Sequence, residues 1–137
     1  MNYTFLEHTA DIKFVAKSKT LNKTFKDSAY ALLNIIKEDK KISFNKLKKI
    51  KIKSNNLENL LYKFLEEFLF LLDSQNFITE TIHNLKIDKN NFKLECILRG
   101  DDNQKYNINN KVKAITYDDL EVKKQNNFWL ITCVLDV

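Results

Sequence analysis

The chain has 137 residues, 44% of them apolar and 12% aromatic, which predicts one globular domain over 1–137 rather than a disordered segment. With one glycine and no proline, no GxGxxG, Walker or GxSxG loop exists, so nucleotide cradling by a glycine-rich loop is excluded. The net charge of +5 comes from lysine with a single arginine, Arg99, in a chain also rich in asparagine and isoleucine, as A/T-rich coding produces. It is therefore not read as a nucleic-acid signature, and arginine, the residue suited to bidentate phosphate and guanine contacts, is nearly absent.

The longest unbroken apolar run, Phe68 to Leu72, is far below the roughly 18 residues of a membrane span. The N-terminus has no basic segment followed by an apolar one, so no secretory signal is expected and the cytoplasm is the expected compartment. Cys96 and Cys133 lie in apolar segments and are expected as buried free thiols rather than a disulfide. Two cysteines and two histidines also exclude a zinc site of the CxxC…CxxC type.

Tyr3–Leu6 is a short strand, and Asp11–Lys17 alternates as a second one. Thr20 caps a helix whose stripe is Leu21, Phe25, Ala29, Leu32 and Ile36. Lys41–Lys53 reads as a strand with Ile50 and Ile52 on one face and Lys49, Lys51 and Lys53 on the other. Leu57–Asp73 is the strongest helix, with apolar residues repeating at three and four. Four strands follow: Phe77–Asp88, Phe92–Arg99, Val112–Val122 and Phe128–Asp136, the last apolar on both faces and so central and covered. Asn55-Asn56, Asn90-Asn91, Asp101-Asp102, Asn109-Asn110 and Asn126-Asn127 are expected to mark turns, since Asn and Asp tolerate left-handed backbone best after glycine. Two long helices must bury their stripes, which predicts an α+β fold: a single two-layer domain with a mixed β-sheet packed against two long α-helices.

Candidate chemistry sits at strand ends. Asp11 opens the second strand and Asp136 closes the last. If those strands are antiparallel neighbours, the two carboxylates meet at one sheet edge, where the main-chain carboxylate of Val137, if Val137 is the true terminus, adds a third anion. A cluster of hard oxygens suits Ca²⁺, Mg²⁺ or Mn²⁺, although solvated aspartates at strand ends are the commoner arrangement. His8 lies close to Asp11 and could serve as base, ligand or turn hydrogen-bonder; His83, among strand residues, is expected to be structural. Ser28, Ser54 and Ser74 have no evident His/Asp partner. Lys111, Lys113, Tyr117, Asp118, Asp119 and Glu121 form a mixed-charge segment expected to be solvated. The face of Lys49, Lys51 and Lys53 could contact phosphates or guard an edge strand; guarding is favoured, with only weak, salt-sensitive RNA affinity expected.

Three segments, in order, resemble the archease family. Phe5-Leu6-Glu7-His8-Thr9-Ala10-Asp11-Ile12 is similar to its aromatic-x-E-H-T-A-D-I opening. Leu60-Leu61-Tyr62-Lys63-Phe64-Leu65-Glu66-Glu67-Phe68-Leu69-Phe70 is similar to its L-L-x-x-W-L-N-E-L-L-Y helix. Val112-Lys113-Ala114-Ile115-Thr116-Tyr117, then Trp129 and the ending Val134-Leu135-Asp136-Val137, are similar to V-K-A-x-T-Y-H, W and V-x-F-D-I. The resemblance implies a non-enzymatic activator of the RtcB-type tRNA-splicing RNA ligase, one that promotes ligase guanylylation and multiple turnover and broadens the nucleotide accepted. It implies a metal site, calcium before magnesium or manganese, at Asp11, Asp136 and Val137, with His8, Lys113 and Asp118 as supporting or partner-facing residues. tRNA would be met only through the ligase, with no membrane or DNA partner. Asp118 stands where the family has His and Phe64 where it has Trp. Two other readings are an RNA-binding chaperone or modulator of tRNA modification, and a metal-dependent hydrolase; the hydrolase lacks a nucleophile paired with a base.

Overall fold

A computed structural model of the chain describes residues 2–6 and 11–137. Its elements run β1 (Tyr3–Leu6), β2 (Asp11–Ser18), α1 (Leu21–Lys37), β3 (Lys46–Lys53), α2 (Leu57–Gln75), β4 (Phe77–Asp88), β5 (Lys93–Asp102), β6 (Ala114–Ile115), β7 (Glu121–Gln125) and β8 (Phe128–Asp136). Both helices start on side-chain caps. Thr20 Oγ1 accepts from the Lys23 N–H at 3.1 Å, and Asn56 Oδ1 from the Asn59 N–H at 2.7 Å. The α2 helix ends at Asn76, whose left-handed backbone lets its N–H reach the Leu71 carbonyl.

The α+β class and the two long helices stand as expected. The mixed sheet is corrected: among the described residues every strand pairing is antiparallel, and the strands divide between two sheets. One sheet runs β1-β2-β8-β6, with β7 also on β8; the other runs β3-β5-β4. The reason is connectivity. The helix α1 carries the chain across to the second sheet instead of back to the first, and although α2 joins β3 to β4 in the same direction within that sheet, β5 lies between them and pairs antiparallel with both. Both helices touch both sheets, and α2 and α1 share a core of Phe25, Leu61, Phe64, Leu65, Phe68 and their neighbours. Strand β8 is central as expected, flanked by β2 along one edge and by β6 and β7 along the other. Among the described residues no helix is long and apolar enough to cross a membrane.

Two expected strands are shorter in the structure. Lys41–Lys53 is strand only from Lys46, because Ile42 and Ser43 hydrogen-bond instead to Glu80 and to the Tyr106 hydroxyl. Val112–Val122 splits into β6 and β7 around a turn in which Asp119 takes a positive φ of 54°. Asn126 makes the β7–β8 turn with a φ of 56°, as its residue type suggests. Asp101-Asp102 is no turn: both residues close β5. Gly100 has its own constraint, since a Cβ there would overlap the Ile78 carbonyl of β4. Cys96 and Cys133 are free, buried and on different sheets, and burial pushes both thiols up to about 12.

Asp101 is fully buried yet satisfied. It accepts from the Tyr106 hydroxyl at 2.7 Å, the Asp102 N–H at 2.8 Å, Asn45 Nδ2 at 3.0 Å and Lys105 Nζ at 3.3 Å. The tyrosine hydroxyl is the largest cause of a carboxyl pKa held far below its ordinary range, against the opposing effect of burial. Through these bonds one carboxylate ties the segment after α1 to the segment after β5.

Two outcomes are expected. Phe64 is fully buried, stacked on Phe25 at 6.1 Å and edge-on to Phe68 at 5.1 Å. Phe64→Ala should lower unfolding free energy by about 3–5 kcal/mol in a denaturant titration. A carboxyl whose folded pKa is depressed stabilises the fold above the ordinary carboxylate range and loses that contribution as pH falls below about 4. Tyr106→Phe should therefore move the acid-unfolding midpoint, followed by circular dichroism, to higher pH.

Candidate functional site

Strand β2 runs antiparallel to β8 in a register that sets Asp11 directly opposite Asp136, with Ala114 of β6 opposite Asp136 on its other side. Directly opposed residues share a sheet face, with Cβ atoms about 4.5–5.5 Å apart. The sequence-derived pairing of the two aspartates is thus a cross-strand pair, and both are half-buried. The Lys113 N–H donates to the Asp136 carbonyl at 2.7 Å, and the Thr116 N–H and hydroxyl both donate to the Val134 carbonyl, at 3.1 and 2.9 Å. These bonds fix the backbone of β8 where it delivers Asp136. Val137 follows at once, half-buried against the core.

The donor chemistry suits a hard cation. Two carboxylates face one another, like charges directly opposed are unfavourable unless offset, and Cys133 points into the core of the same sheet. Among the described residues no three Asp, Glu, His or Cys side chains gather as a metal cluster. Among the described residues a third protein oxygen at this strand end would come from the main chain. His8 lies outside the described residues, with the rest of the Glu7-His8-Thr9-Ala10 motif.

Lys113 and Asp118 lie in the segment around β6. Lys113 is exposed and lines a groove of about 640 Å³ together with Ala114, Lys51, Lys63, Glu66 and Glu67. Sequence reasoning had not singled out Glu67. Burial lifts its carboxyl pKa, and neighbouring Glu66 adds to the rise. The signal was available as the second Glu of the helix motif. Asp118 is exposed in the turn before β7, and it is the next residue, Asp119, that reaches β2, with Oδ2 3.3 Å from Lys13 Nζ. Tyr117 anchors that turn to α2: its ring stacks on Tyr62 at 4.1 Å and 8°, and its hydroxyl donates to Asn59 at 2.9 Å. Tyr117 as a residue nonetheless stays 60% exposed, in the turn that follows β6.

His83 sits on β4 in the other sheet, its Nε2 2.7 Å from the Thr81 hydroxyl, away from the aspartates. The charged side chains of the mixed-charge segment are exposed as expected; Lys111 pairs with Glu38 at 3.2 Å, and Glu121 on β7 pairs with Lys123 at 3.2 Å.

The sequence profile of the Archease protein family matches residues 3–137. The chain is 31% identical to protein archease of Sulfurisphaera tokodaii, over 98% of each sequence. It is 32% identical to protein archease of Methanosarcina barkeri, over 98% of this chain and 95% of the relative. Its fold is similar to the solution structure of Methanobacterium thermoautotrophicum protein 1598, with a TM-score of 0.81 at 24% identity and 99% coverage of both chains. It is also similar to the crystal structure of a Thermotoga maritima archease described as a possible chaperone, with a TM-score of 0.67 at 18% identity, covering 96% of this chain and 94% of that one. The family match over 3–137, together with full-length relatives above 30% identity, places the chain in the archease family.

Proposed function

We propose that the chain is a protein partner of an RtcB-type RNA ligase, promoting guanylylation of the ligase, and that a divalent cation, calcium in the first instance, is held at the contact by Asp11, Asp136 and the Val137 carboxylate. The observation that supports this reading is the register of β2 on β8, which sets the two aspartates face to face at a strand end. A bound divalent cation would supply positive charge able to attract and polarise phosphate oxygens. The chain's own residues do the positioning. Lys113 holds the Asp136 backbone through its N–H, while its exposed side chain lines the groove with Glu66 and Glu67. Tyr117, braced on Tyr62 and Asn59, keeps the Asp118-Asp119 turn against β2.

Such a partner raises ligase activity if it binds the guanylylation-competent state more tightly than the other states, since a ligand shifts an equilibrium only by its differential affinity. Asp118, in place of the family's His, adds an anion to the exposed turn, which favours a cationic contact there over proton transfer.

Asp11→Asn and Asp136→Asn keep the side-chain shape and remove one charge each. Each should weaken Ca²⁺ binding by about tenfold or more in calorimetry, since ligand charge count tunes affinity at oxygen sites. The same variants should lose stimulation of ligase guanylylation, and a C-terminal extension, which turns the Val137 carboxylate into an amide, should behave likewise. Ca²⁺ should raise the melting temperature of the parent by more than that of the variants at the same concentration, because a ligand that binds only the folded state stabilises it in proportion to ln(1 + L/Kd), with L the free ligand concentration. Full guanylylation by all three variants would make the carboxylates an ordinary solvated strand edge.

A further inference from the structure

The second sheet, β3-β5-β4, turns one face to the helices and leaves the other open to solvent. Along β3 the open face carries Leu47, Lys49, Lys51 and Lys53, while Ile50 is buried beneath. The register then brings in cations that lie far away in sequence. Arg99 stands opposite Leu47, and Lys93 opposite Lys53. Across the other edge of β5, Lys86 of β4 stands opposite Glu95. Lys86 reaches this face only because the ladder shifts register between His83 and Lys86, with Asn84 at a φ of 54°, so that Leu85 stays buried while Lys86 turns out.

Lys49, Lys51, Lys53, Lys86, Lys93 and Arg99 therefore share one open sheet face, all of them exposed. Two carboxylates share it. Asp88 is committed to its own turn, accepting from the Asn90 and Asn91 N–H groups and from Asn91 Nδ2. Glu95 stands between Lys51 and Lys86. Among the described residues no ion pair within 4 Å takes up any of the six cations.

We propose that this face binds the phosphate backbone of single-stranded RNA. Successive lysines on β3 are two residues apart, about 6.6 Å along a strand, so they form a line of point charges rather than a single pocket. A linear polyanion complements that line. An acidic protein surface would need an apolar anchor at the centre of its contact, where this face has Glu95 and half-buried Ile97. Five of the six cations are lysines, which meet phosphate as point charges and do not read base edges, and the ring that the register places on this face is the half-buried His83 imidazole, opposite Ile97 and hydrogen-bonded to Thr81. Binding is therefore sequence-independent and steeply salt-dependent. The cations explain the placement of charge better than edge protection alone, because Arg99 and Lys93 lie on the middle strand, where there is no edge to guard. The phosphate chemistry rests on this face alone; the choice of RNA over DNA rests on the ligase reading above.

The test is fluorescence anisotropy with labelled U20 and dT20 across a salt titration, beside the ligase guanylylation assay, for the parent and the triple variant Lys49→Gln, Lys86→Gln, Lys93→Gln, none of which lines the Lys113 groove. For six phosphates neutralised on a single strand, the slope of log K against log salt should approach about −4. The triple variant should fall to about −2 and bind U20 at least tenfold more weakly at low salt, with its melting temperature and its guanylylation stimulation unchanged. Equal affinity and slope in parent and variant overturn the proposal. So does a variant that loses stimulation while still binding U20, which would make the face a docking site for acidic protein. Tighter binding of dT20 than of U20 overturns the choice of RNA. A parent that binds U20 as expected but leaves the ligase unstimulated removes the ligase reading and leaves the phosphate face standing.

Discussion

The antiparallel ladder between β2 and β8 couples Asp11 to Asp136, and it does so residue by residue from Ser18 opposite Trp129 to the aspartates at the other end. A slip of one residue would turn Phe14 and Ala16, both fully buried, out to solvent. The hydrophobic cost of that slip is what fixes the carboxylates opposite one another, so the core specifies the site. The other edge of β8 is held as firmly. The short β6 contributes two ladder positions, and the Lys113 and Thr116 hydrogen bonds extend its grip on both sides.

The helix pair serves both sheets, and this division of labour leaves two outer faces with different chemistry, the aspartates sharing theirs with Lys13, Lys17 and Lys123. The five-stranded sheet presents carboxylates at one end, and the three-stranded sheet presents lysines across its breadth. Between them runs the groove lined by Glu66, Glu67, Lys63 and Lys113, where both signs of charge mingle. An overall charge of +5 conceals this segregation, because net charge describes solubility and long-range steering rather than where a partner sits.

Much of this was legible in the chain. The Leu57–Leu72 stripe could only be a buried helix face, and the apolar residues on both sides of Phe128–Asp136 required a central strand. Asp11 and Asp136 could be paired because each sits at a strand terminus. What periodicity could not supply was which strands share a sheet. The division into two antiparallel sheets depends on where α1 delivers the chain, a tertiary matter. For the same reason Lys49, Lys51 and Lys53 were visible as a face, but Arg99, Lys93 and Lys86 could be joined to it only through the pairing register and a bulge at Asn84. Asp101 resembled a turn residue and is a buried anchor instead, because its partners Asn45 and Tyr106 approach from separate segments. Positive φ at Glu38 and Phe92 carries no residue-type signal at all.

The two charged faces also differ in how much of the chain must be in place before they exist. The lysine face is built within residues 46–102, and β4 and β5 are joined by only four intervening residues. The carboxylate pair draws on the beginning and the end of the described chain, so its assembly must close a loop spanning almost everything else, with the entropy cost that long closure carries. A chain arrested before β8 docks would thus display its lysine face while lacking its carboxylate pair. Under the functions proposed above, such a species would occupy nucleic acid without engaging an enzyme partner, and the docking of one central strand would separate an unproductive competitor from a working copy.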